Sequence, residues 1–125
     1  MKANSSIAVG AALAGIAVSL GAFGAHKIKD MVEPDKLVVW LTGVRYLMWH
    51  ALGLVLVGLL QDNFKLSGAA PTLMTIGALC FSGSLCLLTF GILPSVMGPI
   101  TPLGGALLLA SWFTLAVQVK RAARA

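Results

Sequence analysis

The chain is 125 residues long, 58% hydrophobic and only 10% charged, with a mean hydropathy of +0.95. Soluble domains carry about 25% charged residues, so there is too little polar side chain here to cover a water-facing surface, and a water-soluble domain is excluded. The net charge of +5 comes from nine basic residues with no long cluster among them, which also argues against a nucleic-acid partner. What remains is a single integral membrane domain over residues 1–125, with no room for a second.

A hydrocarbon core about 30 Å thick needs roughly 20 apolar residues at 1.5 Å each. Four stretches meet that length, at about residues 6–25, 41–60, 68–91 and 102–119. None alternates in the manner of a barrel strand, and four short strands could not close a barrel. The expected fold is all-α, an integral membrane four-helix bundle.

The first stretch begins after Lys2 and ends among small residues, which also suits a secretory signal peptide. Its apolar run is nearer span length than signal length, so it is read as an uncleaved first helix. Ala11, Gly15 and Ser19 form one line of small residues at i, i+4, i+8, and Ala17, Gly21 and Ala25 form another. Helices in lipid associate through close backbone approach rather than hydrophobic gain. Two such lines predict a central first helix packed on two sides. His26 follows as the start of a solvated loop carrying Lys27 and Lys29.

The second stretch places an arginine and a histidine inside the membrane. Trp40 suits the interface just outside it. Counting from Leu41, Arg45 lies about 6 Å below the boundary, close enough for its long stem to reach water. Arg45 reads as an anchor, with Trp49 one turn away as a cation–π neighbour. His50 is about 13.5 Å deep and cannot reach out. It is expected to face the bundle in its neutral form, taking the Tyr46 hydroxyl on the same face, with Gly53 leaving that face open. Intramembrane ionisable groups are functional hypotheses by default, so His50 and Tyr46 head the candidate residues.

In the third stretch, Ser82 and Ser84 flank Gly83, and each hydroxyl can bond back to the carbonyl one turn earlier, so neither needs an interhelical partner. Cys80 and Cys86 are six residues apart and cannot bridge within one helix. The fourth stretch opens with Thr101 as an N-cap and Pro102 at the first helical position. Gly104 and Gly105 in its first turn should admit a close neighbour.

Catalytic constellations are missing from this pattern. All four acids lie outside the spans, so no Ser-His-Asp set can form in the membrane. The glycines follow neither phosphate-loop nor dinucleotide spacing. His26, His50 and a methionine could only make an incomplete soft-metal set. No enzyme, cofactor or metal is expected. If both termini share a side, Lys2, Lys65, Lys120, Arg121 and Arg124 face three lysines opposite, or four basic residues with Arg45 counted. The positive-inside rule then puts both termini in the cytoplasm.

Taken together, "GAFGAH" at 21–26, "TGVRYLMWHAL" at 42–52, "FSGSL" at 81–85 and "ITPLGGALLLASW" at 100–112 resemble the domain of unknown function 423 family. That group of small bacterial inner-membrane proteins includes the eukaryotic transmembrane protein 256. The resemblance spans nearly the whole chain and implies a four-helix inner-membrane protein. It implies no activity and no catalytic residue. Family members often have tyrosine after the Ser-Gly-Ser-Leu element, where this chain has Cys86. The reading is a non-enzymatic membrane subunit, either self-associating or part of a larger complex. The alternative is an oligomeric transporter or channel with His50 lining its path.

Overall fold

The structure, a computed structural model, describes residues 1–124. Four helices are long and apolar enough to cross a membrane: α1 (Ala3–Met31), α2 (Pro34–Phe64), α3 (Ala69–Thr89) and α4 (Pro94–Ala122). They pack in chain order, α1 on α2, α2 on α3 and α3 on α4. The N-terminus of α1, the C-terminus of α2, the N-terminus of α3 and the C-terminus of α4 meet at one end. There the Gln61 amide donates to the Met1 carbonyl (2.8 Å) and the Gln118 amide donates to Ser67 Oγ (2.9 Å).

Three helices are longer than the spans expected from apolar length, because proline and backbone geometry set their ends. Pro34 occupies the first turn of α2, where its fixed φ is already helical and its missing N–H costs nothing. Helix α3 ends at Thr89, where Gly91 (φ 66°) takes the left-handed conformation and lets the Ile92 N–H close back on the Leu87 carbonyl at 3.1 Å. Leu93, also left-handed, then hands the chain to Pro94. Thr101 and Pro102 therefore do not open α4; they lie inside it, together with Pro99. The Thr101 hydroxyl is instead free to cross to α3.

His26 is not in a loop either. Helix α1 is α-helical over Ala3–Phe23, forms a π turn over Gly24–Ile28 and closes with Lys29–Met31, so His26 is an exposed helical residue. Trp40 stands at this turn. Its indole N–H donates to the Leu20 carbonyl (2.9 Å), and a Cβ on Gly24 would lie 3.0 Å from its ring. Trp40 is 6% exposed and meets Phe90 edge-on at 5.8 Å, so it is a packing residue rather than an interfacial anchor.

The first helix is not central. Within the apolar 18-residue stretch of each helix, 22% of α1 is buried against 44% of α2. Gly15 has no atom within 4 Å of the place a Cβ would take, and Ala11, Gly15 and Ser19 are all exposed. The face of α1 that packs carries Ser6, Gly10, Leu13 and Ala17. A Cβ on Gly10 would come within 2.6 Å of the Ala51 carbonyl oxygen, so here the two backbones touch. Gly58 of α2 is met by Ile7 in the same way. In α2, Ala51, Leu54 and Val57 are fully enclosed, and Met74 and Ala78 of α3 complete the core beside them. In the pair α3–α4, Gly104 lies against the Phe81 backbone as its position predicts, whereas Gly105 makes only ordinary contact with the Phe81 ring.

Candidate functional site

His50 sits where α2, α3 and α4 converge. Its neighbour Gly53, three residues on, offers no side chain; a Cβ there would be 3.0 Å from Met74 Sδ and 3.3 Å from the Trp112 ring. The open face beside the histidine is thus filled by an indole from α4. His50 is 6% exposed.

Both ring nitrogens are engaged. Nδ1 lies 2.7 Å from the Tyr46 carbonyl oxygen, and the Trp112 indole N–H donates to Nε2 at 3.1 Å. An indole N–H can only donate and a carbonyl can only accept. The two bonds therefore assign the tautomer, with Nδ1–H as donor and Nε2 as acceptor. The expected partner, the Tyr46 hydroxyl, is not used; a helical side chain leans toward the preceding turn, which brings the i−4 carbonyl within reach of Nδ1. Tyr46 contributes its ring instead, nearly parallel to the imidazole at 6.0 Å and packed on Phe81 at 4.7 Å. Trp49 lies 5.0 Å from Tyr46. Arg45 is exposed and forms no ion pair among the described residues.

Beside this cluster runs a groove of about 560 Å³, bordered by Tyr46, His50, Phe81, Pro102 and Trp112. Its walls are apolar and aromatic. A histidine with both nitrogens occupied can neither pass a proton nor ligate a metal without first losing Trp112. What the geometry does provide is a brace: one hydrogen bond ties α2 to α4 across α3.

The serines divide. Ser84 and Thr101 share a 2.6 Å bond between their hydroxyls, and each also reaches a carbonyl of its own helix, Phe81 at 2.9 Å and Met97 at 3.3 Å, so this pair joins α3 to α4. Ser82 does not make the back-bond open to it. Its Oγ is buried without a partner and lines a crevice of about 200 Å³ with Leu13, Leu47 and Cys86. Cys80 and Cys86 are both free thiols. His26, on the π turn of α1, is not brought to His50, and among the described residues no three His, Cys, Asp or Glu side chains gather in a metal-holding group.

Sequence reasoning missed the interhelical hydrogen bonds, three of which show why. Trp112 ends a quoted motif, yet nothing in its spacing says that its N–H meets His50. Ser6 Oγ donates to Gln61 Oε1 (2.7 Å), joining α1 to α2. Ser111 Oγ donates to the Ala70 carbonyl (2.8 Å), joining α4 to α3. The available signal was the rule that buried polar groups find partners, which says that a bond exists but not with whom.

Known proteins place this architecture. A family model described as protein of unknown function (DUF423) matches residues 20–105. The UPF0382 membrane protein YwdK of Bacillus subtilis is 45% identical over 114 residues, covering 89% of this chain and 92% of that protein. The UPF0382 membrane protein C1782.12c of Schizosaccharomyces pombe is 41% identical over 113 residues, covering 86% and 95%. A UPF0382 membrane protein of Haemophilus influenzae is 41% identical over 102 residues, covering 79% and 80%. No solved structure matches the chain. With the family model spanning most of the chain and relatives at this identity over nearly their full length, the chain belongs to the DUF423 family of membrane proteins.

Proposed function

We propose that this is a non-enzymatic membrane subunit that works by associating with copies of itself or with a larger membrane complex. The observation that carries the reading is the state of His50, the strongest candidate for chemistry. Both of its nitrogens are committed to holding α2 and α4 together. Apart from the Ser82 hydroxyl, the buried polar side chains are spent on the fold, so the task falls to the outer surface. On that surface the uncovered Ala11–Gly15–Ser19 line of α1 has the small-residue spacing that suits a helix from another chain. A solute path lined by His50 has less support, since its ring is enclosed and both nitrogens are occupied. For a bacterial inner membrane, the five-to-three distribution of basic residues supports both termini in the cytoplasm.

Gly15→Leu tests the association directly, because nothing lies near enough to Gly15 for a leucine to disturb the single chain. In mild detergent, size-exclusion chromatography with light scattering should show an oligomer for the natural chain and a folded monomer for the variant. A natural chain that is monomeric and retains no other protein, or an oligomer indifferent to Gly15→Leu, would rule the reading out. Single cysteines at Lys2 and Arg124 should resist a membrane-impermeant thiol reagent on intact cells; labelling of both reverses the orientation.

A further inference from the structure

The end of the bundle where all four helices meet carries a groove that none of the interior braces uses. It has a volume of about 800 Å³ and lies between the α2–α3 turn and the last turn of α4. Lys65, Arg121, Ser67, Gln118, Phe64 and Leu66 line it. No acid lines it. Asp62, the one acid at this end of the chain, borders a separate groove beneath the N-terminus. Neither Lys65 nor Arg121 forms an ion pair among the described residues.

Two details show that the groove is more than a patch of solvated charge. Lys65 caps α2 in the left-handed conformation, φ 51° and ψ 44°, which favours glycine and strains a lysine. A cation stands at a position where the backbone alone would prefer no side chain. Gln118 spends its amide N–H on Ser67, which ties the last turns of α4 to the α2–α3 turn and braces the two sides of the groove. The groove therefore has two cations on braced walls and lacks an anion. Its position, at the ends of two membrane-crossing helices and walled by Phe64 and Leu66, adds an apolar body.

We propose that this groove binds the headgroup of an anionic phospholipid through its phosphodiester. The phosphodiester sits between Lys65 and Arg121, which supply charge and, from the guanidinium, a planar fork of donors. The glycerol backbone and first methylenes lie along Phe64 and Leu66. The charge complement follows from five basic residues against one acid at this end, a field that draws anionic lipid to the surface before the groove selects it.

The test uses the full chain in a mild neutral detergent, titrated with dioleoyl phosphatidylglycerol while thermal unfolding is followed. Phosphatidylglycerol should raise the midpoint, and phosphatidylcholine at the same concentration should not. Lys65→Gly separates binding from folding, because glycine relieves the left-handed strain; it should fold at least as stably and bind about five-fold more weakly. Arg121→Gln should weaken binding by a similar factor of about five. Lys27→Gln with Lys29→Gln removes two charges at the opposite end and should leave the titration unchanged. The proposal is overturned if Lys65→Gly and Arg121→Gln bind as the natural chain does, or if the Lys27 and Lys29 variant loses as much. It is equally overturned if inorganic phosphate or glycerol phosphate reproduces the effect, since the groove would then be a soluble-anion site.

Discussion

Helices α1 and α2 are alike in sequence and unlike in place. Both are long, apolar and threaded with glycine, and α1 has the longer uninterrupted lines of small residues. Yet α2 is buried on two sides, and α1 packs along a single stripe on α2. Small residues permit close approach; they do not choose which face is approached. In α2 that choice is made by partners: Gly58 receives Ile7, Gly53 receives Met74 and Trp112, and Gly43 receives the Ser82–Leu85 segment. In α1 only the Gly10 side and the Trp40 contact at Gly24 are so engaged, and Gly15 meets nothing.

The strongest way to break this comparison is to put the same side chain on the two faces of α1. Gly10→Leu drives a side chain into the Ala51 carbonyl and Val55, so the helices must separate. The expected loss is about 3 kcal/mol, the upper range for overpacking, read from thermal or denaturant unfolding in detergent. A loss no greater than that of Gly15→Leu would mean that α1 docks on α2 by another face.

The brace between α2 and α4 comes next. His50→Leu removes the acceptor of the Trp112 N–H and should cost about 1–2 kcal/mol, while His50→Gln, which can still accept and donate, should lose less than half of that. Equal losses for the two variants would show that ring packing on Tyr46, rather than hydrogen bonding, is what His50 supplies. Trp112→Phe keeps an aromatic ring beside Gly53 and removes only the N–H, for an expected cost of about 1 kcal/mol. In a double-mutant cycle with His50→Leu the two effects should not add, because both delete one bond. Additive losses would remove the brace from the account.

The smallest expected effect sharpens the comparison from the other side. Gly15→Leu should change the unfolding of the single chain by no more than about 0.5 kcal/mol, as is usual for an exposed position free of special contacts. A loss comparable with Gly10→Leu would restore a buried, central face to α1.

The sequence by itself determined that the chain is a membrane protein of four helices, because too few polar groups exist to meet water and every lipid-exposed backbone must satisfy itself within a helix. It also marked His50 as a buried group facing the bundle with Tyr46 on its face, since depth follows from counting residues along a helix of fixed rise. It did not determine where α4 begins, because Thr101 and Pro102 make a good local start, and the left-handed turn at Leu93 with Pro94 makes an earlier one. Only the tertiary structure decided that Trp112 meets His50, that Thr101 meets Ser84, and that α2 rather than α1 lies inside. The physical reason is the same in each case. Helix length and depth are properties of one segment and can be read along it, whereas a hydrogen-bond partner or a buried face is fixed by the rotation of one helix against another. In lipid, where every apolar face is equally acceptable, that rotation is set by interhelical packing and a few polar bonds.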